Sequence, residues 1–541
     1  MDMVQEFAGQ RVGMKMAERV KRVKSPRLFA AIDIGSHKLK MKIVEACPEG
    51  EIRTLDTVDR LIPLGRDTFN DGKLSFDSVK RTCEAIQSFK RLMTDYGVKE
   101  WRMVATSAIR EAENRDYMID RIRLQTDFDT EIINNSQEKF LTYKAIKWQL
   151  TKHKAINTSD PTLILNISAG SIQLLLTENN LLVSSQSLKL GALRIKESIA
   201  RLEKHTLNFT RVLEEYIGAH IENVEYLKST HEITNFVIVS GELEHILNLL
   251  GKSTGGVTIL SRDDFEEIYD LIIHKTTRII SEEYGVPYAD AELFVPSLIL
   301  IREFFGKTSS DKIVIPNVSL VDGMIVERVN GSLSEEHRID FEADILSYVR
   351  KLADRYRYNK RHCEYVEHAA LQMFNQLTSV HGLGKRERFL LQIACVLHDI
   401  GKFIGADPHY IHSYNIINAS QLLGLSDDEL WMVSSIARYH SIETPSFSSA
   451  GLNRMEKPLQ IKTMKLIAII RMADALDTSH KQKLRIKSLA VREDQFEIIT
   501  TTREETVLEY WTFQMKAEFF TEVYGLKPQL VIQNSMAETN L

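Results

Sequence analysis

Two short turns without bulky side chains constrain this chain more than any other feature. The first lies in Ala30-Ala-Ile-Asp-Ile-Gly-Ser-His-Lys-Leu-Lys40, the second in Leu163-Ile-Leu-Asn-Ile-Ser-Ala-Gly-Ser-Ile-Gln-Leu174. Each reads as an apolar strand that enters a tight turn and returns as a second strand. Such a turn lets backbone N–H groups come close to phosphate oxygens. Two of them facing each other would clamp a phosphorylated ligand from both sides. A device that starts twice in one chain also indicates an internal duplication, with the ligand in the cleft between the halves. One asymmetry stands out: the first turn has a carboxylate, Asp33, where the second has an amide, Asn166.

The periodicities around the turns set the architecture. Residues 28–46 read as two strands and 51–63 as a third. Residues 76–96 form an amphipathic helix with Val79, Cys83, Ile86, Phe89 and Met93 on one face. A strand over 101–106, a helix over 116–126, a strand over 130–133 and a helix over 135–150 complete an α/β unit. The pattern restarts with strands over 162–177 and 181–188 and ends on a strand and turn at 319–328. Segments 345–356, 362–377, 386–403, 414–423, 426–440 and 460–478 are helix-periodic. Strands over 488–492 and 495–501, a helix near 510–524 and a last strand follow. The expected organisation is a basic lead over 1–27, two α/β units over 28–150 and 151–330, an all-α domain over 331–484 and a small α+β unit over 485–541.

Composition narrows the function classes. A net charge of −5 argues against a general nucleic-acid binder, so a polyanionic ligand needs a local positive surface. No apolar run approaches the ~20 residues of a membrane span, so no membrane partner is expected. The basic lead lacks a signal peptide's apolar core and reads as a solvated or helical extension, or else as a phosphate-attracting arm. Cys47, Cys83, Cys363 and Cys395 form no CxxC pair, as expected of thiols in a cytoplasmic protein.

Five segments in order, 30–40, 104–112 (VATSAIREA), 166–174, 190–194 (LGALR) and 321–324 (VDGM), resemble the exopolyphosphatase / guanosine pentaphosphate phosphohydrolase (Ppx/GppA) family over residues 28–328. The resemblance implies the fold of actin, sugar kinases and heat-shock chaperone ATPases, with two ribonuclease-H-like halves. It implies hydrolysis of terminal phosphate from polyphosphate or pppGpp with Mg²⁺, and a homodimer. By the same resemblance Asp33 would hold the metal or its water shell, and Gly35 and Ser36 would contact phosphate. Arg110 would pair with a phosphate, which suits its planar fork. Glu138 would be the general base, and Ser168, Ala169, Gly170 and Ser171 would cradle the phosphate from the other side.

Plainer roles exist for these residues. Glu138 follows Asn135 by three at a helix start, which is also a capping-box spacing. Arg110 could pair with Glu111 or Glu113. Asp33 has fewer structural excuses, because a carboxylate in an apolar strand is costly without a partner. The chain also departs from the family pattern Asp-Ile-Gly-Gly-Gly-Ser-x-Glu at its second turn, where Asn166 and Gln173 replace both acids. Magnesium prefers charged oxygen ligands, so these two amides are weakened equivalents. Reduced or altered catalysis with retained phosphate binding is expected.

In the helical region Cys395-Val-Leu-His-Asp-Ile-Gly-Lys402 resembles the signature of the HD phosphohydrolase superfamily. His362, His398, Asp399, His412, His440 and Asp474 form the expected ligand set, with His409 close by. Imidazole plus carboxylate suits Mn, Fe, Zn or Mg; the alternative is a metal-free helical domain. Lys402, Arg438 and Arg471 lie beside these residues and could meet phosphates or be solvated charges. Three functions follow. The first is release of terminal phosphate in the cleft. The second is phosphoester hydrolysis in the HD domain, with the cleft sensing polyphosphate or (p)ppGpp. The third is a regulator that binds phosphate ligands without turnover.

Overall fold

The computed structural model of the chain describes residues 27–47, 51–168, 170–203, 205–206, 208–222, 232–253, 256–333, 335 and 338–534. The basic lead up to residue 26 and the candidate phosphate ligand Ala169 lie outside the described residues.

Strand β1 (Arg27–Ile34) is apolar on both faces, and Ala30, Ala31, Ile32 and Ile34 are fully buried. It pairs antiparallel with β2 (Lys38–Ala46) across the first turn, and β2 pairs with β3 (Ile52–Leu61). On its other side β1 runs parallel to β4 (Glu100–Ala105), which pairs with β5 (Glu131–Ile132), giving the order β3-β2-β1-β4-β5. The second sheet holds β6 (Thr162–Ile167), β7 (Ile172–Glu178), β8 (Leu181–Leu188), β9 (Asn235–Ser240), β10 (Val257–Ser261) and β11 (Lys312–Pro316). Its order, β10-β11-β9-β6-β7-β8, repeats the first sheet strand for strand and adds one antiparallel edge. The register repeats as well. Asp33 faces Lys40 one pair before the first turn, and Asn166 faces Gln173 one pair before the second. The two positions are therefore equivalent in the duplicated halves.

The strand and turn expected over 319–328 are instead part of a helix, Leu320–Asn330. At its start the Asp322 carboxylate accepts from both the N–H and the hydroxyl of Ser319, each at 2.8 Å. Gly323 is a contact residue and not a turn residue. A Cβ there would lie 2.0 Å from the Leu141 carbonyl oxygen on the neighbouring Asn135–His153 helix. No rotamer relieves a clash with backbone, so Gly323→Ala should destabilise the protein by roughly 3 kcal/mol. A lowered midpoint in calorimetric unfolding checks this; an unchanged midpoint contradicts the close approach.

The third region is helical: Phe341–Arg355, Lys360–Gln376, Lys385–Leu397, His409–Ala419, Asp427–Arg438 and Lys457–Ala475. The helix expected over 386–403 stops at Leu397, and a 3₁₀ turn, Ile400–Phe403, follows. The break has a packing cause. Gly401 lies against the start of the next helix, where a Cβ would meet the His409 carbonyl oxygen at 2.0 Å. Its N–H donates to Ser413 Oγ at 2.9 Å. The chain closes with β12 (Arg485–Arg492), β13 (Gln495–Thr502), the Val507–Tyr524 helix and β14 (Lys527–Asn534), ordered β12-β13-β14.

Each α/β unit has an apolar cluster of its own, and a further cluster crosses the boundary to the helical region. One continuous apolar cluster joins Phe140, Tyr143 and Ile146 of the Asn135–His153 helix to Val237 and Val314 of the second sheet. The same cluster takes in Leu391, Ile467, Phe496, Phe513 and Phe520. The Asn135–His153 helix thus packs against both the α/β and the helical parts. No described helix is long and apolar enough to cross a membrane.

Candidate functional site

The first turn is closed by Gly35 N–H donating to the Lys38 carbonyl at 3.1 Å. A Cβ on Gly35 would sit 2.8 Å from that same oxygen, so the turn requires glycine. The second turn is closed in the same way, by Ser168 N–H donating to the Ser171 carbonyl at 2.9 Å. Here the Ser168 hydroxyl adds a second bond to that oxygen at 2.8 Å. The two turns meet at Ser107. Ser36 Oγ lies 2.7 Å from Ser107 Oγ, and a Cβ on Gly170 would lie 3.8 Å from it. Arg194 ties the second turn down, its Nε donating to the Gly170 carbonyl at 2.9 Å. It had no assigned role in the sequence, although it lies in one of the matching segments. Across the cleft His37 pairs with Asp290 at 2.6 Å, and Arg66 and Lys196 converge on Glu292 at 2.6 and 2.9 Å.

Asp33 lies one pair before the first turn on β1. Its Oδ1 is buried without a hydrogen-bond partner. Burial first, then the nearby Glu138 charge, push its pKa up to about 8. An orphaned acid beside a second carboxylate is what a divalent cation would relieve, so the Asp33 side of the cleft fits Mg²⁺. The other half fits less well. Gln173 is buried with neither amide atom bonded, and it offers no charge. Because the folded-state value lies above the unfolded one, Asp33 costs the metal-free protein nothing below about pH 4. Stability then falls by up to about 1.4 kcal/mol per pH unit as pH climbs toward 8. Asp33→Asn should therefore raise the unfolding temperature of chelator-treated protein at pH 8 and leave it unchanged near pH 4. Equal shifts at both values would contradict the raised pKa.

The plainer roles for Glu138 and Arg110 fall away. The cap of the Asn135–His153 helix is Asn134, one residue earlier than the spacing suggested, and its capping-box partner is Gln137. That leaves Glu138 free to face the cleft. Glu111 pairs with Arg194 and Glu113 with Lys73. Arg110 turns instead to Glu138 Oε2 at 3.3 Å, to the Ile133 carbonyl at 2.6 Å and to Asn135 Oδ1.

A second cluster lies in the helical region. His362 comes from the first turn of its helix, and His398 and Asp399 from the break after Leu397. His409 opens its helix, His440 follows the Asp427–Arg438 helix, and Asp474 ends Lys457–Ala475. Asp399 sits at the centre. Its Oδ2 lies 3.6 Å from His362 Nε2 and 3.8 Å from His398 Nε2, its Oδ1 3.4 Å from His409 Nε2 and 3.6 Å from His440 Nε2. Asp474 Oδ1 lies 3.3 Å from His362 Nε2. Three overlapping groups of these residues could hold an ion: His362–His398–Asp399, His398–His440–Asp474 and Asp399–His409–His440.

The imidazoles are pinned from behind. Nδ1–H donates to Asp477 at 2.9 Å in His362, to the Cys395 carbonyl at 2.8 Å in His398, to Ala406 at 2.9 Å in His409 and to Ala437 at 2.6 Å in His440. This fixes the tautomer that turns each Nε2 lone pair toward the shared space, the arrangement a metal needs. Burial drives His398 down to about 4 and His440 well below the usual imidazole range. At His362 burial opposes charge, but hydrogen bonds donated to Asp474 and Asp477 outweigh it and push the ring up to about 9. Asp399 Oδ1 is buried and makes no hydrogen bond. Imidazoles pinned through Nδ1 around a carboxylate oxygen that makes no hydrogen bond fit a transition metal or Mg²⁺.

The structure corrects the ligand set at one place. His412 is not drawn into the cluster; it packs beside the Gly401–Gly405 backbone, and His409 takes its place. Both histidines lie on one helix face at i and i+3, so their spacing could not separate them. Three neighbours went unforeseen. Asp477 backs His362, and His480 stacks on the His362 ring with centroids 3.7 Å apart. Lys516 reaches in from the tail helix to Asp474 Oδ2 at 2.6 Å. Lys402 pairs with Asp399 at 2.5 Å and Arg438 with Glu443 at 3.4 Å. Arg471 is not a phosphate contact. It is buried and donates to the Tyr439, Ser441 and Glu443 carbonyls, which fixes the segment after His440.

A profile of the Ppx/GppA phosphatase family matches residues 43–331, and one of Ppx/GppA phosphatase domain III matches residues 346–522. The chain belongs to the Ppx/GppA phosphatase family. A guanosine-5'-triphosphate,3'-diphosphate pyrophosphatase of Aeromonas hydrophila is 23% identical over 427 residues, spanning 76% of this chain and 80% of the relative. One of Vibrio atlanticus is 21% identical over 424 residues with the same coverage. Among solved structures, an exopolyphosphatase from Cytophaga hutchinsonii superposes on 57% of this chain and all of its own, with a TM-score of 0.50 and 19% identity. Two mixed-sheet domains followed by a largely helical region are the architecture of this family member.

Proposed function

We propose that this chain releases terminal phosphate from inorganic polyphosphate or pppGpp in the cleft between its two α/β units. The observation that carries the reading is Glu138: free of capping, oriented by Arg110 and close enough to Asp33 to raise its pKa. In this mechanism the turns at Gly35–Ser36 and Ser168–Ser171 hold the terminal phosphate. Arg110 offsets its charge. Glu138 takes a proton from water as the water oxygen bonds to phosphorus and the bond to the bridging oxygen breaks. Mg²⁺ held by Asp33, with Asn166 and Gln173 as neutral neighbours, would offset negative charge on the phosphate oxygens. A homodimer in the cytoplasm belongs to the same proposal.

The helical cluster favours a second reading, an HD-type phosphohydrolase with a sensing cleft. Its ligand set is complete in kind, whereas the cleft has exchanged two acids for amides. Manganese, iron, zinc or magnesium held by His362, His398, Asp399, His409, His440 and Asp474 would polarise water beside a phosphoester. Phosphate release measured on polyphosphate, pppGpp and a simple phosphodiester tests both readings. Turnover of the first two supports the cleft. Turnover of the diester alone moves the chemistry to the helical cluster.

A further inference from the structure

The first turn of the Asn135–His153 helix, which carries Glu138, is gripped by the helical region. Asn134 caps this helix with its side-chain oxygen, accepting from Gln137 N–H at 2.9 Å. Its amide Nδ2 is left with two hydrogens, and both are used outside the α/β unit. One goes to the Leu425 carbonyl at 3.1 Å and one to Asp427 Oδ1 at 2.8 Å. Gly424 N–H donates to the Ser136 carbonyl at 3.3 Å. Lys139 Nζ donates to Gln421 Oε1 at 3.1 Å. Gly424 has a φ of +77°, and a Cβ there would meet the Phe140 ring at 2.6 Å. Residues 134, 136, 139 and 140 are thus held by one turn, that between the His409–Ala419 and Asp427–Arg438 helices. Arg110 holds Glu138 itself from the other side.

We propose that Asp427 and its turn are positioning elements for the cleft reaction, fixing the helix start that aims Glu138 at water. The inference rests on the reading of Glu138 as the base. A base must be held to a fraction of an ångström, and a helix start without outside support frays at its first turn. The same hairpin carries His409 and His440 at its far end, so the helical cluster and the cleft base share one rigid piece.

The test is kinetic, with phosphate release from polyphosphate as the readout. Asp427→Ala should lower kcat roughly tenfold while KM stays within about twofold. Asp427→Asn keeps the accepting oxygen and should restore kcat. Combined with Glu138→Gln, Asp427→Ala should add nothing. Asn134→Ser keeps the cap but loses both outward hydrogens; it should reproduce the kcat loss and serves if Asp427→Ala fails to fold. Wild-type kcat in both Asp427→Ala and Asn134→Ser overturns the proposal, as does an equal further loss in the Glu138→Gln background. Full activity of Glu138→Gln alone would instead overturn the reading of Glu138.

Discussion

Glu138→Gln should slow phosphate release from polyphosphate by roughly 10²–10⁴-fold, the usual worth of a positioned general base. The substitution keeps the shape and the contact with Asn134's helix start but removes the ability to accept a proton from water. Binding should change little, because Arg110 retains its bonds to the Ile133 carbonyl and to Asn135. The expected pattern is therefore a collapsed kcat at a nearly constant KM, read by phosphate release over a range of substrate concentrations. Removing the Glu138 charge also removes one of the two leading causes of the raised Asp33 pKa. A variant with wild-type turnover would show that the chemistry lies elsewhere, and the helical cluster is the place to look.

Asp399→Ala should empty the helical cluster of metal. The carboxylate lies within 3.8 Å of His362, His398, His409 and His440, so its loss opens two of the three possible ligand groups at once. Removal of ligand support of lesser kind already costs 10–100-fold in affinity, and a shared ligand should cost at least ~100-fold. Elemental analysis of purified protein is the direct measurement. Wild type should carry metal and Asp399→Ala only background. Equal metal in the two proteins would contradict the assignment. The variant also separates the two functional readings. Phosphodiester turnover should vanish with the metal if the cluster is catalytic. Polyphosphate turnover should persist if the cleft acts alone.

Much of the fold could be read from local pattern because its signals are local. The two turns are built from consecutive residues, and their registers reproduce the equivalence of Asp33 and Asn166. Where the reading failed, a distant contact had decided. Gly323 looks like a turn glycine, but it is small because Leu141 lies against it. The helix after Lys385 stops short because Gly401 abuts His409. At the candidate sites, residue types were legible and partners were not. A capping role for Glu138 could be rejected only once Asn134 was seen to hold the cap. His409 and His412 are indistinguishable by spacing. Lys516 enters from 42 residues beyond Asp474, across a sheet and from another helix, and no sequence spacing announces it.

The shared apolar cluster restricts how this molecule can be cut. Trimming the chain near residue 340 looks natural, because the family's first profile ends at residue 331. Such a fragment would keep both glycine-containing turns yet strip the cover from Phe140, Tyr143, Ile146 and Leu150 on the helix that carries Glu138. It would also leave Lys147 without Asp344, whose two oxygens it now meets at 2.8 Å. A bare hydrophobic flank and an uncompensated buried ammonium make a truncated cleft prone to aggregation. Crystallographers and enzymologists alike should keep the cleft and the histidine-rich half together, and should look for the function of either in the intact chain.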